Sequence, residues 1–431
     1  MAAKLLLGML LLEACLCLDL LGDTDGPWSI LGYTGYAGEV VMNYVTGSSL
    51  FYWLFQATKG NILTDKAPII LWLQGGQGCS GSTGLLFENV GPFNINNQTQ
   101  PTPNPYSWTN EFHVIMVDYP YGSGFSFANA VYDMKNSTIQ ASAYLYNLLI
   151  KLNNKYPTWF NRDLYIFGDS YAGHWVPGIA YTILMNNLSP NAQFVFSLKG
   201  IGIGDPFMDG GTQTQHYDEY GFSTGLLDLE EMGIIQQMQA QIISDLNAGE
   251  LVTANNDQMN LLGAISNYAG GADIYNIRYY YDSYDLGQLP NWMNLNSTKL
   301  MLNAPLDIFW QSCNPEIGYS WGQDMMTSMK PYLSYIVQNI KVIVWNSQDD
   351  YIVNSLGTQD FLSQLNWQYT HQFVNAHRQT WSVNGKIAGY VRAYNNLSFV
   401  LVLRAGHLMP HDQPQCAQDL VYRFINNEGW K

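Results

Sequence analysis

Ser170 stands in the stretch Gly168–Gly173 (GDSYAG), where its surroundings are those of a nucleophile. The stretch follows the short apolar run LYIF and precedes small residues that can open a helix. A strand, a sharp turn and a helix in this order form a nucleophile elbow, which exposes the serine oxygen at a sheet edge. The general pattern expects glycine two residues after the serine, and Ala172 takes that position. The alternative is an ordinary strand-to-helix turn, so a base, an acid and an oxyanion site are needed elsewhere.

Candidates for the acid and the base follow two later apolar runs. Asp349 and Asp350 follow the run KVIVWN, and His407 follows the run FVLVL. Open α/β sheets have their sites at the carboxyl ends of strands, so these residues are expected near Ser170. The imidazole would take the serine proton, and one carboxylate would orient the imidazole and stabilise the imidazolium. A lone loop aspartate or histidine is usually a solvated polar group, but the order Ser, Asp, His is that of α/β hydrolases.

A glycine-rich loop follows the apolar run at residues 67–73. Its sequence, LWLQGGQGCSG at residues 71–81, leaves several backbone N–H groups unobstructed by side chains. Such groups can stabilise an oxyanion during acyl transfer. The alternative interpretation of this segment alone is a flexible turn.

Apolar runs recur along the chain in a pattern that predicts an α/β fold. Four of them are nearly continuous, which indicates strands buried on both faces by helices. A helical pattern at residues 139–156 and a hairpin at residues 39–57 accompany them, and the chain is expected to form a central, mainly parallel sheet. The runs lie at residues 67–73, 113–119, 164–167, 198–205, 341–346 and 399–403.

The interval 208–312 interrupts this alternation. It contains a long helical segment, EEMGIIQQMQAQIISDLNAGELV, and then the polar, tyrosine-rich YNIRYYYDSYDLG. We expect it to form a largely helical cap inserted over the sheet. The core of the fold would then consist of two parts, residues 18–207 and 313–431.

The composition limits the function classes. The chain has 431 residues, of which 47% are hydrophobic and only 12% are charged, about half the usual share. The formal charge of −16 argues against nucleic acid and against anionic membrane surfaces as partners. An acidic chain suits an acidic compartment, because partial protonation of carboxylates lowers their mutual repulsion.

The N-terminus has the features of a secretory signal peptide. Residues 1–17, MAAKLLLGMLLLEACLC, combine one lysine, a short apolar run and small residues near Cys17, where cleavage is expected. The alternative is a buried core helix. No later run reaches the roughly 20 apolar residues of a membrane span, so no membrane association is expected after cleavage. Five glycosylation sequons agree with secretion: Asn97, Asn136, Asn187, Asn296 and Asn396.

Three cysteines remain after cleavage at this position: Cys79, Cys313 and Cys416. In an oxidising compartment the simplest arrangement is one disulfide and one free thiol. Their spacing alone leaves the pairing open. The seven histidines have no metal-ligand spacing such as HExxH, and no nucleotide-binding fingerprint is present, so neither a metal nor a cofactor is expected.

Several long segments, taken together, resemble serine carboxypeptidases. The similarity extends from about Gly35 to the C-terminus and is weakest in the predicted cap. It implies an α/β-hydrolase fold and an enzyme that releases C-terminal residues from peptides and proteins. The segments are WLQGGQGCSG, LLFENVGPF, NPYSWTNEFHVIMVDYPYGSGFSFA, GDSYAGHWVPGIA, DDYIVNSLGTQDF and AGHLMPHDQP.

The resemblance implies a role for each candidate of the triad. Ser170 corresponds to the nucleophile, Asp350 to the acid and His407 to the base. Asp349 corresponds to a variable position of the family's acid motif. His411 lies beyond Met409–Pro410, where the family varies, so it is not expected to be the base.

The resemblance also implies two binding sites beside the triad. The oxyanion would be held by the backbone N–H groups of Gly76 and Tyr171. The substrate's terminal carboxylate would be held by an amide, a backbone N–H and two acids: Gln74, Gly75, Glu88 and Asp169. Asp169 is one methylene shorter than the family's glutamate, Gln74 replaces an asparagine, and Gln77 replaces a proline.

The pairing of Cys79 with Cys313, which leaves Cys416 free, is a further implication of the resemblance. The predicted function is a serine-type carboxypeptidase that acts through an acyl-enzyme on Ser170 in an acidic lumen. The protein is expected in the secretory pathway, either in a lysosome-like or vacuole-like compartment or secreted, as a monomer or homodimer. The alternatives are an acyltransferase or esterase with the same triad, and a catalytically silent binding protein of the lumen.

Overall fold

The computed structural model describes residues 22–430, so the predicted signal peptide lies outside the described residues. Eleven strands form one sheet, in the order β1-β2-β3-β7-β4-β8-β9-β10-β13-β12-β11, and β5 and β6 pair separately. The strands are β1 Gly26–Ile30, β2 Tyr33–Asn43, β3 Ser48–Phe55, β4 Ile69–Leu73, β5 Phe93–Ile95, β6 Pro101–Pro103, β7 His113–Val117, β8 Asp163–Asp169, β9 Ser197–Gly204, β10 Lys341–Ser347, β11 Gln379–Val383, β12 Lys386–Tyr394 and β13 Leu397–Val402.

The centre of the sheet is parallel. Every pair of neighbours from β7 through β4, β8, β9 and β10 to β13 is parallel, and the outer strands are antiparallel. Each predicted apolar run overlaps one of these six parallel strands, and the predicted hairpin is formed by β2 and β3. The predicted α/β fold with a mostly parallel central sheet is therefore confirmed.

Helices lie between the strands and cover both faces of the sheet. Those of residues 22–430 are α1 Gly81–Leu86, α2 Thr138–Lys155, α3 Ala172–Asn187, α4 Gly210–Gln213, α5 Tyr217–Ser223, α6 Leu229–Ala248, α7 Leu251–Tyr268, α8 Leu289–Met293, α9 Asn296–Met301, α10 Pro315–Ser320, α11 Gly322–Met325, α12 Lys330–Asn339, α13 Ser355–Ser363, α14 Thr370–Val374, α15 Met409–Asp412 and α16 Pro414–Asn426. Three short 3₁₀ helices accompany them.

Two apolar layers hold the helices to the sheet. On one face, α2, α3 and α12 bury residues such as Leu145, Ile179 and Leu333 against the strands. On the other face, α16 buries Leu420 and Phe424. Because both faces are covered, the central strands carry apolar side chains in both directions, as their unbroken apolar runs indicate.

Glycines in β9 make room for aromatic rings from the two neighbouring strands. A Cβ atom on Gly202 would lie 2.2 Å from the ring of Phe167, and one on Gly204 would lie 2.3 Å from the ring of Trp345. The alternating sequence GIGIG of this strand therefore lets large rings from β8 and β10 cross it.

The described chain between β9 and β10 forms helices and irregular segments and adds no strand to the sheet. Its longest helices, α6 and α7, pack on each other around Ile242 and Leu261. Asp228 begins α6 with a capping box, and Gly249 ends it in a left-handed conformation with φ of 80°. The limits 208–312 stay a prediction, because α10 and α11 follow residue 312 and also lie before β10.

A disulfide joins Cys79, in the glycine-rich loop, to Cys313, where the chain returns toward the core. Hydrogen bonds on either side extend the contact, from the N–H of Ser80 to the carbonyl of Ser312 and from that of Asn314 to the carbonyl of Gly78. Cys416 is a free, buried thiol. The bridge fastens the return of the chain beside the glycine-rich loop, as the resemblance implies.

Candidate active site

Ser170 forms the sharp turn between β8 and α3. Its φ of 57° is in the left-handed region, which non-glycine residues rarely adopt. Its N–H donates to the carbonyl of Gly204 at 2.8 Å, and its own carbonyl accepts from the N–H groups of Gly173 and Phe207. These hydrogen bonds hold the turn in the strained conformation that a nucleophile elbow requires.

The elbow depends on close contact with the glycine-rich loop. A Cβ atom on Gly75 would lie 2.2 Å from the carbonyl oxygen of Asp169 and 2.4 Å from the Cβ of Ser170. A Cβ atom on Gly168 would lie 2.6 Å from that of Ala172. The alanine of the GDSYAG stretch is therefore accommodated because residue 168 has no side chain.

Asp350 and His407 lie together at the same edge of the sheet. The Oδ2 atom of Asp350 is 2.8 Å from Nδ1 of His407, and both side chains are buried. The other carboxylate oxygen of Asp350 accepts the N–H of Val353. The carboxylate is thus held in an orientation in which it fixes the imidazole and can stabilise its charged form.

The environment of His407 determines the protonation of its imidazole. Burial opposes the charged form, but the nearby carboxylates of Asp350 and Asp169 outweigh burial and raise the pKa of His407 above its usual value. The neutral imidazole, which could accept a proton, therefore becomes scarce at acid pH.

The free nitrogen of His407 and the hydroxyl of Ser170 share one cavity. Nε2 of His407 has no hydrogen-bond partner among residues 22–430, and both side chains line a cavity of about 260 Å³. The serine and the imidazole do not hydrogen-bond to each other in this structure. Contacts between a nucleophile and its base are often long in free enzymes and shorten when substrate binds.

The neighbouring candidates, Asp349 and His411, have other partners. Asp349 forms a salt bridge with Arg278 at 2.8 Å. His411 stacks on Phe87, with ring centroids 4.4 Å apart, and its Nδ1 contacts Asp412. Neither residue forms a hydrogen bond with the Ser170, Asp350 and His407 side chains in the described part of the chain.

A segment of the tyrosine-rich region, residues 273–284, crosses the edge of the sheet above these residues. We call it the strap. The carbonyl of Tyr275 accepts the N–H of His407 at 2.7 Å, and the carbonyl of Ile274 accepts that of Tyr351. The strap therefore connects the loop of the acid to the loop of the base. This segment belongs to the predicted cap, and no sequence signal indicated a role for it in the site.

The two expected oxyanion donors face the same region. Gly76 has φ of 79° in the loop that follows β4, and Tyr171 is the N-cap of α3. Neither of their N–H groups donates a hydrogen bond to another described residue. The hydroxyl of Tyr171 donates to Asp324 at 2.6 Å, which anchors this residue from α11. No local sequence signal predicted that Asp324 would contact this part of the site.

The four residues expected to bind a terminal carboxylate form one buried cluster. The amide nitrogen of Gln74 donates to Glu88 at 2.7 Å and to Asp169 at 3.1 Å, and the N–H of Gly75 donates to Asp169 at 3.2 Å. The indole of Trp72 donates to the amide oxygen of Gln74. The cluster lies against the cavity that contains Ser170 and His407.

The two acids of this cluster form a coupled pair. Burial raises the pKa of both Glu88 and Asp169, and for Glu88 the charge of Asp169 adds to the effect. One oxygen of each, Oε2 of Glu88 and Oδ2 of Asp169, has no donor among residues 22–430. Each carboxyl group therefore keeps its proton to a higher pH than a free one, and ionisation of one opposes ionisation of the other.

A second, larger cavity opens on the other side of Ser170. Its volume is about 810 Å³, and it extends from Gly76 and Tyr171 to the cap helix α7. Its described lining is uncharged and combines amides with apolar side chains, among them Asn255, Gln258, Met259 and Ile352. Ser170 therefore lies between a small cavity lined by acids and a large neutral one.

Asp205 is a buried acid of this region that the sequence analysis did not single out. It directly follows β9, and its carboxyl group accepts the N–H of Ser347 at 2.7 Å, three residues before Asp350. The rule that pointed to Asp350, an acid at the carboxyl end of a buried strand, applies equally to Asp205. The sequence therefore contained a signal for it.

Residues 22–430 contain neither a candidate metal site nor a candidate membrane span. No three His, Cys, Asp or Glu side chains of this part lie close enough to hold a metal ion. Within the same residues, no helix has both the length and the apolarity that crossing a membrane requires.

The sheet, the elbow and the Ser170, Asp350 and His407 cluster define an α/β hydrolase. A family model described as serine carboxypeptidase matches residues 25–427. A probable serine carboxypeptidase CPVL of Dictyostelium discoideum is 31% identical over 400 residues, which are 91% of this chain and 79% of that protein. The human protein of the same name is 29% identical over 416 residues, which are 94% of this chain and 86% of that protein.

The solved structure of Kex1(delta)p, a prohormone-processing carboxypeptidase from Saccharomyces cerevisiae, has the same fold. It superposes with a TM-score of 0.79 over 92% of both chains, at 22% sequence identity. The chain belongs to the serine carboxypeptidase family. It is a serine-type carboxypeptidase, a hydrolase whose substrates are peptides.

We predict that Asp350→Asn lowers kcat about 10⁴-fold, as in other triads, because the amide cannot orient and stabilise the imidazolium in the same way. Asp349→Asn, the matched control, should lower kcat less than about tenfold, because Asp349 pairs with Arg278 and not with His407. Steady-state kinetics on one peptide checks both variants. The reverse ranking would contradict the assignment of the acid.

Proposed function

We propose that the protein removes C-terminal residues from peptides through an acyl-enzyme on Ser170. The observation that carries the proposal is the buried hydrogen bond of 2.8 Å between Asp350 and Nδ1 of His407. It leaves Nε2 available in the cavity that Ser170 also lines. This arrangement supports general-base activation of the serine, with Asp350 as the orienting acid.

In the proposed reaction, Oγ of Ser170 attacks the carbonyl carbon of the last peptide bond while Nε2 of His407 takes its proton. The N–H groups of Gly76 and Tyr171 stabilise the negative oxygen of the tetrahedral intermediate. The imidazolium then gives its proton to the leaving amine, and the C–N bond breaks. Water, deprotonated by His407, attacks the resulting ester and releases the shortened peptide.

The buried cluster beside Ser170 is proposed to recognise the substrate's terminal carboxylate. Gln74 and the N–H of Gly75 supply donors, and the proton shared by Glu88 and Asp169 supplies a further one at acid pH. The released residue would occupy the small cavity. The acyl portion would extend into the large neutral cavity, which favours uncharged side chains before the scissile bond.

The buried acids also support the proposed acidic compartment. Burial raises the pKa of each, to about 7 for Glu39 and to about 6 for Asp118. In unfolded chains carboxyl groups release their protons at a lower pH, so between about pH 4.5 and 7 the folded state binds more protons. Stability therefore falls as pH rises through this range. The acids concerned are Glu39, Glu88, Asp118, Asp169 and Asp205.

One buried histidine acts in the opposite direction. Burial lowers the pKa of His113 despite its contact with Asp65. This residue therefore adds stability as pH rises toward the ordinary pKa that histidine has in the unfolded chain. His407 has a raised pKa, and its contribution is lost as pH rises, like that of the buried acids. The carboxyl groups are more numerous, so their effect determines the net slope.

A lumenal location agrees with the exposure of the sequons. Asn97, Asn136 and Asn296 are exposed, which makes them the proposed glycan sites. Asn187 and Asn396 are half-buried, and their amides donate hydrogen bonds to the carbonyls of Phe196 and Val337. We propose the secretory pathway, with the signal peptide at residues 1–17 and the cap at 208–312, as in the sequence-based assignment.

We predict that KM for a peptide with a free C-terminus rises as pH rises through the raised pKa of the Glu88–Asp169 pair. Loss of the shared proton brings the substrate carboxylate against a second negative charge. KM for the matched C-terminal amide should stay nearly flat. Over the same range kcat should fall only at the acid end, where His407 becomes protonated.

The matched variant for this test is Glu88→Gln, which cannot lose a proton and should flatten the rise in KM for the free acid. KM is measured against pH for both substrates in wild type and variant. If acid and amide have the same pH dependence in wild type, the cluster does not recognise a carboxylate. An esterase or acyltransferase activity on the same triad would then fit the site better.

We also predict that the free energy of unfolding falls between about pH 5 and 7.5, since each unit of a raised pKa corresponds to about 1.4 kcal/mol. Urea denaturation at both pH values measures the difference. Glu39→Gln, which removes one of the acids with a raised pKa, should reduce the fall without abolishing it. An unfolding free energy that rises over this range would contradict the link to an acidic compartment.

A further inference from the structure

Two of the six arginines of the chain, Arg378 and Arg392, line one cavity and have no acceptor among residues 22–430. Neither side chain forms a hydrogen bond or a salt bridge within this part of the chain. The other four arginines each donate to a carboxylate or a carbonyl: Arg162 to Asp65, Arg278 to Asp349, Arg404 to Ile387 and Arg423 to Asp419.

The cavity lies on one face of the sheet, near the edge formed by β11 and β12. Tyr390 and Arg392 are two residues apart on β12, so their side chains lie on the same face. The volume is about 100 Å³, more than one water molecule needs. Neither cavity beside Ser170 shares a lining residue with it. The lining consists of Gln359, Arg378, Tyr390, Arg392, Phe399 and Leu401.

Arg392 contains a buried donor without a partner. Its Nε atom is shielded from solvent and has no acceptor among the described residues. A buried N–H of a charged group that lacks an acceptor costs free energy. An acceptor from outside the chain would remove this cost.

The guanidinium of Arg378 is held by an aromatic ring. Its Cζ atom lies 3.7 Å from the centroid of the Tyr390 ring, which is a cation–π contact. Stacking occupies a face of the guanidinium, whereas the N–H groups lie in its plane and stay free to donate. Arg378 is therefore oriented before a ligand binds, which lowers the entropic cost of binding.

No acid of the lining offsets the two positive charges. Asp360, next to Gln359 on α13, pairs with His216 at 3.1 Å. Two guanidinium groups beside one cavity repel each other, and an anion between them would replace this repulsion by attraction. The planar forks of arginine match the oxygen atoms of phosphate-like anions. A tetrahedral oxyanion has enough oxygen atoms for both forks, whereas a carboxylate has only two.

We propose that Arg378 and Arg392 form a binding site for a tetrahedral oxyanion, phosphate or sulfate, either as a free ion or as the terminal group of a larger molecule. Both guanidinium groups donate to its oxygen atoms, and the buried Nε of Arg392 gains its missing acceptor. The bound oxyanion connects the residue before β11 to β12 and stabilises the folded state by mass action. The site is separate from the catalytic cavities, so the proposal does not depend on the triad.

Isothermal titration calorimetry with sodium phosphate, and separately with sodium sulfate, tests the site at low ionic strength. We expect one ion to bind per chain, with a Kd of about 1 mM or lower. Arg378→Gln and Arg392→Gln should each raise the Kd about tenfold or more, because each removes charge-assisted donors. Arg392→Lys keeps the charge but not the fork, so it should also weaken binding.

The matched control is Lys386→Gln, which removes a positive charge from the same strand outside this cavity. Its Kd should stay within about twofold of that of the wild type. Circular dichroism shows whether each variant is folded. Arg378 is exposed, so Arg378→Gln tests the site even if the variants of Arg392 do not fold.

Phenyl phosphate, a phosphate monoester, distinguishes the two sources of the oxyanion. Binding at least as tight as that of inorganic phosphate would mean that the site accepts the phosphate group of a larger molecule. Binding of the inorganic ions alone would mean that the ligand is a free ion. Either result supports the site, provided that Arg378→Gln weakens it.

Two results would overturn the proposal. The first is a lack of saturable binding by all three compounds up to about 10 mM. The second is equal affinity in the wild type and in folded Arg378→Gln and Arg392→Gln, which would indicate an adventitious ion only.

Discussion

The contact between the glycine-rich loop and the elbow is the constraint on which the site depends. Gly75 approaches Asp169 and Ser170 so closely that a single methyl group would collide with the backbone. This approach brings Gly76 beside Tyr171 and Gln74 beside Asp169, so both binding sites flank the same serine. The disulfide at Cys79 and the strap fasten the surrounding loops to this arrangement.

The second feature that governs the site is the pairing of carboxyl groups without solvent. Glu88 and Asp169 both accept hydrogen bonds from the amide of Gln74, beside the cavity that Ser170 and His407 line. In this pair one acid can keep a proton and act as a donor while the other carries the charge. The same burial that organises the site makes the folded protein favour acid conditions. Activity and stability are therefore linked through the same groups.

Much of this architecture could be predicted from the sequence, because buried parallel strands have nearly continuous apolar runs and elbows have small residues. The six central strands, helix α2 and the positions of Ser170, Asp350 and His407 at strand ends followed from these patterns. The roles of Glu88 and Gln74 depended on family resemblance. The contacts of Asp324 and the strap depend on folding of distant segments, so no local pattern contained them.

The most direct test of the account is to map the residue modified by a serine-directed fluorophosphonate and to follow release of the C-terminal amino acid from a peptide. The account predicts one adduct on Ser170, with peptide hydrolysis lost in proportion to labelling. Ser170→Ala should be folded, unlabelled and inactive. A stable adduct on another serine, or hydrolysis by Ser170→Ala at the wild-type rate, would contradict the account.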